Sequence, residues 1–598
     1  MSQSTPTRDT KKDKMIEKIT DQNALEVIGK FEDSKQYRHS YDTKWDELYS
    51  MYRFKKKSNR AGRANFYIPH AFSNVETVFP RMTAQRPRLN VKPVAPSDLE
   101  PSKIIAKLVD YVWERLNIDD VIRRWVKSSL IYGTGIVKVT WKKTSKPKKK
   151  KFPILGKTLE LIGYTTKSDG VIEYDGVIVT NLDLRDVYID KNAVTVEDAE
   201  FIIHKYWEKP SVLSANPNYK AEDVELCVEG VTNDKIKRGL VETQDNDRKG
   251  WVEVLEYWED DRLVVVAGGQ VLRDDPNPYD CKKKPFVVMT DQTDDQVIYG
   301  IGEVEPIEGL QKEMNTLRNQ RMDFNNLTLN PVWQVMPNAV SDINDIKFVP
   351  GHRIPMTSND PGAIKPLQMP QAPFTSYKEE ESIRIDLQTI TGVSDYSRGS
   401  EATKMNDTAT GISLIQEAAN ERFKAKIRNM ELAISQMTEL IVALYQQYAT
   451  KELAIRITEK DTDYFETVTK KDIAGSFDIY VESGSTIPVN KMQQRAEEMN
   501  KYNVLMANPL FQSSPKAQLE LTRALLETWD DYNRDNVLAS LEEAATAAEQ
   551  VKQDAAETSA LDSTQATLEK QIQDEMMMQN GGEQGGGKQT GPAAGPVQ

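Results

Sequence analysis

Two patterns of hydrophobic residues alternate along the first 300 residues. Apolar residues spaced by three and four positions predict amphipathic helices, and β-branched runs between turn formers predict strands. The predicted helices cover 23–52, 70–84 and 102–132. The predicted strands begin with Ile136, Val137, Val139 and Trp141 and continue over 172–190, 199–207 and 251–267. This part of the chain is therefore expected to mix helices and sheet.

A helix predicted over 303–328 opens the central part of the chain. It has Glu303 and Glu305 at an acidic start and apolar residues along one side. Eight of the chain's 28 prolines follow between residues 331 and 373. Because proline lacks an amide hydrogen and clashes with the preceding turn, no long helix fits there, and a small protruding module is expected instead. Its expected strands are Val332–Met336 and Lys347–Val349.

Helical spacing resumes after this insert. Ser376 and Glu379 have the spacing of a capping box, and Gly392 is well placed to end the helix. The polar residues 393–407 then predict a mobile loop. From Thr408 to Tyr448 there is no proline, and apolar residues recur every three or four positions. This run predicts one helix of about 60 Å at 1.5 Å per residue, far longer than the ordinary mean of about 11–12 residues.

Shorter elements follow the long helix. Strands are expected at Ala454–Ile457 and Phe477–Val481, and then a helical block from about 490 to 577 in which Pro515 occupies a first helical position. Residues 578–598 are rich in glycine and are expected to be disordered, because they cannot bury enough surface to fold. The whole pattern predicts an α+β fold that is predominantly helical.

Composition and charge argue against several classes of protein. The 598 residues include 78 Lys and Arg against 91 Asp and Glu, a formal charge of −13. This balance argues against a wide basic face that grips DNA, but not against a protein that DNA must pass without sticking. Two cysteines, Cys227 and Cys281, cannot form a disulfide framework, so a reducing compartment is expected. The polar N-terminus lacks a signal-peptide core, and no apolar run approaches the ~18 residues of a membrane span.

Catalytic, cofactor and metal chemistry finds little support. The four histidines are scattered, without metal-binding spacing. The carboxylates Asp183, Asp186 and Asp190 are better interpreted as solvated turn residues than as a cation site. Gly582–Lys588 approximates a phosphate-binding loop, but Gln589 stands where Ser or Thr should bind Mg²⁺ and the surroundings are linker-like. No catalytic residue, cofactor or metal is predicted, and an enzyme is not expected.

Seven stretches together suggest a family. They are NFYIPHAFSNVETVFPRM (65–82), SSLIYGTGIVKVTW (128–141), DVYIDKNAVTVEDAEFIIHKYW (186–207), YGIGEVEPIEGLQKEMNTLRNQRMDFNNLTLNPVWQV (299–335), TGVSDYSRG (391–399), TATGISLIQEAANERF (408–423) and FDIYVESGSTIPVNK (477–491). In this order the chain resembles the bacteriophage portal proteins, the ring-shaped head–tail connectors of tailed phages. No single stretch is a catalytic signature, and the specificity lies in the ordered set, which runs from about residue 40 to 530.

The resemblance implies a portal-type subunit that forms rings. Such a subunit has a wing, two stem helices, a clip between them, a channel (tunnel) loop, a long spine helix and a helical crown. The corresponding ranges would be 1–300 for the wing with about 20 flexible residues at its start, 301–330 for the first stem helix, 331–373 for the clip, 374–392 for the second stem helix, 393–407 for the channel loop, 408–450 for the spine helix, 451–489 for further wing strands, 490–577 for the crown and 578–598 for the tail.

The resemblance also implies a function and a set of partners. Portal proteins form a ring of twelve subunits at one capsid vertex, which is the conduit for packaging and ejection of double-stranded DNA. The implied partners are other copies of the chain, DNA bound without sequence preference, the large terminase, a head–tail adaptor, and the major capsid and scaffolding proteins. The implied location is the virion, with the host cytoplasm during assembly. The alternative is another ring-forming virion protein such as a head–tail adaptor, although adaptors are usually much shorter.

Four residues are candidates for partner contacts. On the resemblance, Arg398 and Lys404 in the predicted loop would touch DNA, and the acids around them predict weak, salt-sensitive contacts. Trp333 and Phe348 are apolar candidates for docking a partner on the clip, although packing inside that module is the favoured interpretation for Trp333. The lysines of 142–151 are interpreted as a solvated hairpin tip, with a contact to DNA or a partner as the second hypothesis.

Overall fold

The computed structural model of the chain has two compact units, Met1–Pro488 and Val489–Gln598. The residues that the structure describes are 22–56, 63–146, 149–150, 163–164, 171–225, 227, 236–238, 241–243, 250–329, 332–340, 342, 344, 346, 353–367, 375–393, 409–449, 453–459, 462–482, 491–508, 515–527, 540–541, 546–547 and 564–573.

Helices and strands alternate along the first unit, as its two hydrophobic rhythms predict. The helices are α1 (Gln22–Tyr52), α2 (His70–Met82), α3 (Leu99–Leu116), α4 (Ile118–Tyr132), α5 (Pro210–Ser214), α6 (Ala221–Glu225), α7 (Glu308–Leu329), α8 (Thr375–Thr391) and α9 (Ala409–Tyr448). The strands are β1 (Leu89–Pro93), β2 (Thr134–Lys146), β3 (Lys149–Lys150), β4 (Gly163–Tyr164), β5 (Val171–Leu182), β6 (Val187–Ile189), β7 (Ile202–Glu208), β8 (Ile236–Arg238), β9 (Val241–Thr243), β10 (Val252–Trp258), β11 (Arg262–Ala267), β12 (Gln270–Pro276), β13 (Phe286–Thr290), β14 (Trp333–Val335), β15 (Ile364–Pro366), β16 (Leu453–Glu459), β17 (Thr462–Val468) and β18 (Phe477–Val481).

Two antiparallel sheets organise the first unit. One has the strand order β12-β11-β10-β7-β6 and the other the order β13-β2-β5. The helix α1 packs on the five-stranded sheet, where the ring of Phe31 meets that of Tyr188 edge-on with centroids 4.6 Å apart. The other strands form pairs, among them β1 with β18, in which Val91 lies opposite Ile479. The sheets therefore join segments that are far apart in sequence.

The 40-residue helix α9 is the main support of this unit. It packs against β13, β2 and β18. Its side chains are described from residue 422 onward, and Phe423, Ile427, Ile434 and Met437 are buried at steps of three, four and seven. The single long helix predicted over 408–448 is thus confirmed. Its length is stabilised by burial of one apolar face, because propensity alone rarely stabilises so long an element.

Several predicted boundaries are wrong, and backbone geometry explains two of them. The helix predicted over 102–132 is divided into α3 and α4 because Asn117 takes a left-handed conformation with φ of 49°. The strand predicted over 172–190 is divided between β5 and β6 by a turn, in which the Asp183 carboxylate accepts a hydrogen bond from the Arg185 amide at 3.0 Å. Asn and Asp favour such breaks because their side chains satisfy nearby backbone groups.

Other predictions need smaller corrections. Helix α7 begins at Glu308 and not at residue 303, and Ser376 lies inside α8 and is not its cap. Gly392 does end α8: its φ is +69° and its amide donates to Gln388 O at 2.9 Å. The lysine run 142–151 is not simply a hairpin tip, because β2 continues to residue 146 and β3 covers 149–150. The strand predicted over 251–267 is the antiparallel pair β10 and β11.

The second unit is helical where it is described. It contains α10 (Lys491–Met506) and α11 (Pro515–Glu527), which contact each other, and residues 564–573 are also helical. The start of α11 at Pro515 agrees with the prediction, since proline is well suited to a first helical position. The Gly-rich residues 578–598 lie outside the described part.

Candidate functional site

The two helices on either side of the Pro-rich insert pack against each other. Arg318 on α7 donates a hydrogen bond to Glu380 on α8 at 3.2 Å, and Arg321 donates to the same carboxylate. The Arg321 guanidinium also lies 4.2 Å from the ring centroid of Tyr377. Ile383 and Leu387 supply the buried side of α8. One shared carboxylate and one aromatic ring therefore fix how the helix pair meets.

The insert between the helices contains a two-stranded sheet. Strands β14 and β15 pair antiparallel, with Trp333 opposite Pro366. A small apolar cluster, Ala339, Val340 and Ala363, is buried beside them. Trp333 is half-buried and is not a member of that buried cluster. Phe348 and the predicted strand Lys347–Val349 lie outside the described residues.

An extended segment, residues 63–69, runs along α7, and we call it the strap. Asn319 holds the strap with both ends of its carboxamide: Oδ1 accepts from the Phe66 amide at 2.6 Å, and Nδ2 donates to Phe66 O at 3.0 Å. Asn315 Oδ1 accepts from the Ile68 amide at 2.9 Å. Asp323 accepts from the Ala64 amide. These side chains form hydrogen bonds with backbone groups of the strap that would otherwise pair with a neighbouring strand.

Gln311 belongs to the same row of side chains on α7, and we call Gln311, Asn315, Asn319 and Asp323 the ladder. Its Nε2 donates to Ile68 O at 2.7 Å, and its Oε1 accepts from the Ala71 amide at 3.3 Å. The four ladder residues are spaced by four on α7, which is a rise of about 6.0 Å, and the strap advances about 6.6 Å for every two residues. Because these two distances are nearly equal, every second amide of the strap lies beside the next turn of α7. The side chains one step beyond these four, those of Ile307 and Leu327, cannot accept a hydrogen bond. A shift of the strap by one step would therefore leave one of the four bonded amides without its acceptor.

A buried cluster of charges joins the long helix to the segment before α7, and we call its three members, Asp291, Glu303 and Lys426, the junction. The Lys426 Nζ atom lies 2.8 Å from Asp291 Oδ2 and also donates to Glu303. Asn74 on α2 donates to the second oxygen of Glu303 at 2.7 Å. Asn429 donates to the backbone oxygen of Asp291 at 3.1 Å. The junction therefore ties α2 and α9 to the chain that leads into α7.

Charge is not balanced in the junction, because two carboxylates face one ammonium group. Burial raises the pKa of Asp291 to about 7, and the charge of Glu303 adds to that rise, while Lys426 opposes it. Burial would lower the pKa of Lys426, but the two carboxylates outweigh it, so that the pKa is raised. Asp291 Oδ1 is buried without a hydrogen-bond partner in the described structure. A proton on Asp291 thus relieves the excess negative charge.

Close backbone packing holds the junction in place. Gly133, at the turn between α4 and β2, has φ of +86°, and a Cβ there would lie 1.9 Å from Gly300 O. The Gly300 amide donates to Thr134 Oγ1 at 2.9 Å. The amide of Asp291 donates to Gly133 O at 3.0 Å. The turn and the segment that bears the two acids therefore pack with no room for a side chain.

The candidate residues from sequence are only partly within the described structure. Arg398 and Lys404, together with all of the predicted loop 393–407 except Val393, lie outside it, as does Phe348. The three carboxylates Asp183, Asp186 and Asp190 are within it, and Asp183 binds the amide and the guanidinium of Arg185. Within the described ranges, no three His, Cys, Asp or Glu side chains converge as metal ligands.

Sequence reasoning missed both the ladder and the junction. The ladder has a signal, since Gln311, Asn315, Asn319 and Asp323 repeat every four residues and all bear a side-chain acceptor. The sequence predicts that Glu303 lies in the acidic first turn of a helix. It is instead buried five residues before α7 begins, where it pairs with Lys426. A long-range ion pair has no local pattern that would reveal it.

Among the described residues, no helix is both long enough and apolar enough to cross a membrane. The family model described as the phage SU10 portal protein matches residues 158–580, which is 423 of the 598 residues. The matched range includes α7, the insert, α8 and the long helix α9, whereas the strap precedes it.

Proposed function

The chain belongs to the phage SU10 portal protein family, and from that premise we propose that its copies close into a ring of twelve at one vertex of a phage capsid. The ring is the conduit through which double-stranded DNA enters during packaging and leaves during ejection. The main support is the family match over most of the chain. The order of helix, strand insert, helix and 40-residue helix agrees with a portal-type subunit.

The regions of a portal subunit are assigned on the same basis. The mixed α/β part up to residue 300, together with the strands after α9, is the wing. Helices α7 and α8 are the stem, the insert between them is the clip, and α9 is the spine helix. The helices after residue 490 are the crown. The ladder and the junction then have a common task, which is to fix the stem on the wing.

The proposed conduit needs weak contacts with DNA. Tight, counterion-releasing contacts would hold the duplex, and contacts with base edges would make passage depend on sequence. A net charge of −13 suits passage without trapping. Arg398 and Lys404 in the loop 393–407 are the proposed DNA contacts. Deleting 393–407 is expected to leave ring formation largely intact and to impair packaging or retention of DNA.

The insert is the proposed docking surface for the large terminase during packaging and for a head–tail adaptor afterwards. Val332 and Met336 flank strand β14 of the insert, and both are exposed apolar residues. Trp333 and Phe348 are the proposed apolar contacts. The major capsid and scaffolding proteins are proposed to meet the wing during assembly in the host cytoplasm.

Native mass spectrometry of the purified full chain tests the ring. The expected mass is that of twelve copies, and negative-stain images should show a hollow ring. Antibody labelling of virions should place the chain at one vertex only. A protein that stays monomeric at high concentration and is also monomeric or absent in virions would refute the proposal. A ring found only in the tail of the particle would favour an adaptor.

A further inference from the structure

The segment that leads into the strap is strongly basic. Residues 53–63 read RFKKKSNRAGR, with six Lys and Arg and no Asp or Glu, in a chain of net charge −13. Four of these cations are within the described structure and are exposed, namely Arg53, Lys55, Lys56 and Arg63. None of the four forms an ion pair with the described residues. Unpaired cations at this density favour an acidic partner.

Exposed aromatic rings lie beside these cations. Phe54 and Phe66 are each 50% exposed, and Phe72 is 38% exposed. The rings of Phe54 and Phe72 pack edge-on with centroids 6.0 Å apart. Aromatic residues and arginine are enriched in protein–protein interfaces, whereas a stacked duplex offers phosphates and no surface for phenyl rings. The basic face, defined as residues 53–56, the strap and Phe72, therefore suits a protein partner better than double-stranded DNA.

Helix α8 presents the opposite charge. Glu379 and Asp386 are exposed and form no ion pair with the described residues. Ile390 is also exposed, although its position in the apolar stripe of the helix predicts burial. Because intervals of seven and four bring residues to one side of a helix, these three side chains share a face. We call Glu379, Asp386 and Ile390 the acidic face.

The strap and α8, which bear the basic and the acidic face, lie on different sides of α7. The ladder residues that hold the strap, such as Asn315 and Asn319, and the arginines that reach α8, Arg318 and Arg321, form two rows about 110° apart around α7 at 100° per residue. A subunit of a closed ring needs two different, complementary surfaces, one for each neighbour. The basic and acidic faces meet this requirement in charge, and both include exposed apolar side chains.

We infer that the basic face of one copy docks on the acidic face of the next copy, with the phenyl rings packed near Ile390 and the charges around them. This inference rests on the proposed ring and specifies one contact within it. The occupant of the basic face is a second copy of this chain. Lys55 and Lys56 then meet Glu379 and Asp386 across each boundary between subunits.

Charge reversal on each face, separately and together, tests the contact. The first variant is Lys55→Glu with Lys56→Glu, the second is Glu379→Lys with Asp386→Lys, and the third combines all four changes. The matched control is Lys470→Glu with Lys471→Glu, an exposed adjacent pair on the same unit. Native mass spectrometry and light scattering measure the concentration at which rings form, and circular dichroism checks that each variant is folded.

Each one-sided variant is expected to raise the concentration needed for ring formation by about tenfold or more, since like charges then face each other. The combined variant restores opposite charges and should return to within about threefold of wild type, and the control should not differ from wild type. Rings that form normally in both one-sided variants would overturn the inference, as would a loss that the combined variant does not restore. Normal rings with lost DNA binding in the first variant would assign the basic face to DNA instead. If the wild type itself forms no ring, the proposed function fails and not this contact alone.

Discussion

The Nζ atom of Lys426 lies 2.8 Å from Oδ2 of Asp291, in the interior of the first unit. The same ammonium group also donates to Glu303, and all three residues are less than one-tenth exposed. Removing one partner of a buried ion pair leaves an uncompensated charge, which destabilises a protein far more than a surface pair does. The junction is therefore the place where a single substitution should do most to loosen α9 from its surroundings.

Replacing the junction lysine is expected to destabilise the first unit. Lys426→Met keeps most of the side-chain volume but leaves Asp291 and Glu303 without their cation, which should cost about 3–5 kcal/mol at pH 7. The midpoint of urea unfolding measures the change. Arg428→Met, an exposed change on the same helix, is the control and should stay within about 0.5 kcal/mol. Equal midpoints for the two variants would show that the junction contributes nothing.

The raised pKa of Asp291 predicts a stability that depends on pH. The folded state keeps a proton on this carboxyl up to about pH 7, whereas the unfolded chain releases it near its ordinary value of 3.8. Because the folded state binds more protons, this contribution is fully present below pH 3.8 and is lost as the pH rises to about 7. Urea midpoints from pH 5 to 8 should fall more steeply for wild type than for Asp291→Asn. Parallel curves would contradict the assignment.

Loss of one ladder residue should release the strap locally. Asn319→Leu removes the two hydrogen bonds to Phe66, but water can replace them at this partly exposed site, so the expected loss is about 1 kcal/mol. Hydrogen exchange of the Phe66 amide should become much faster, while α7 itself stays protected. Gln320→Leu, an exposed change one residue away, is the matched control and should leave strap exchange unchanged. Strap exchange as slow as in wild type would show that the ladder does not hold the segment.

The elements with a strong periodic pattern could be predicted from the sequence. The sequence predicts the helix Ala409–Tyr448 to within one residue, because one apolar face repeats over about eleven turns, and it predicts the strand Phe477–Val481 at its observed bounds. The sequence does not predict the break at Asn117, because the helical spacing of apolar residues continues across this position. The backbone of Asn117 nevertheless adopts a left-handed conformation. Pairings such as that of Val91 with Ile479 also have no local signal, since they depend on how distant segments meet.

The candidate site was less accessible to sequence reasoning. The helix pair and its insert were evident from proline placement, but Lys426 is one charged residue beside an apolar stripe and its partners are 135 and 123 positions away. The ladder could have been found as an acceptor repeated every four residues. Such a repeat is ambiguous by itself, because polar residues at this spacing are normally just the solvated side of a helix. The hydrogen bonds to the strap, which only the structure shows, distinguish this repeat from an ordinary solvated side.

A last prediction concerns Gly133, where backbone packing leaves no space. An added Cβ would lie 1.9 Å from Gly300 O, and φ of +86° disfavours any other residue, so Gly133→Ala should destabilise the first unit by more than about 2 kcal/mol. Gly309→Ala is the matched control, because it stands in the first turn of α7 with open space around its Cβ position and should be neutral or stabilising by up to about 1 kcal/mol. Thermal unfolding of the two variants measures the contrast. A Gly133→Ala protein as stable as the Gly309→Ala protein would mean that the turn can move away from the segment Asp291–Glu303, and the junction would then lack the rigid support inferred for it.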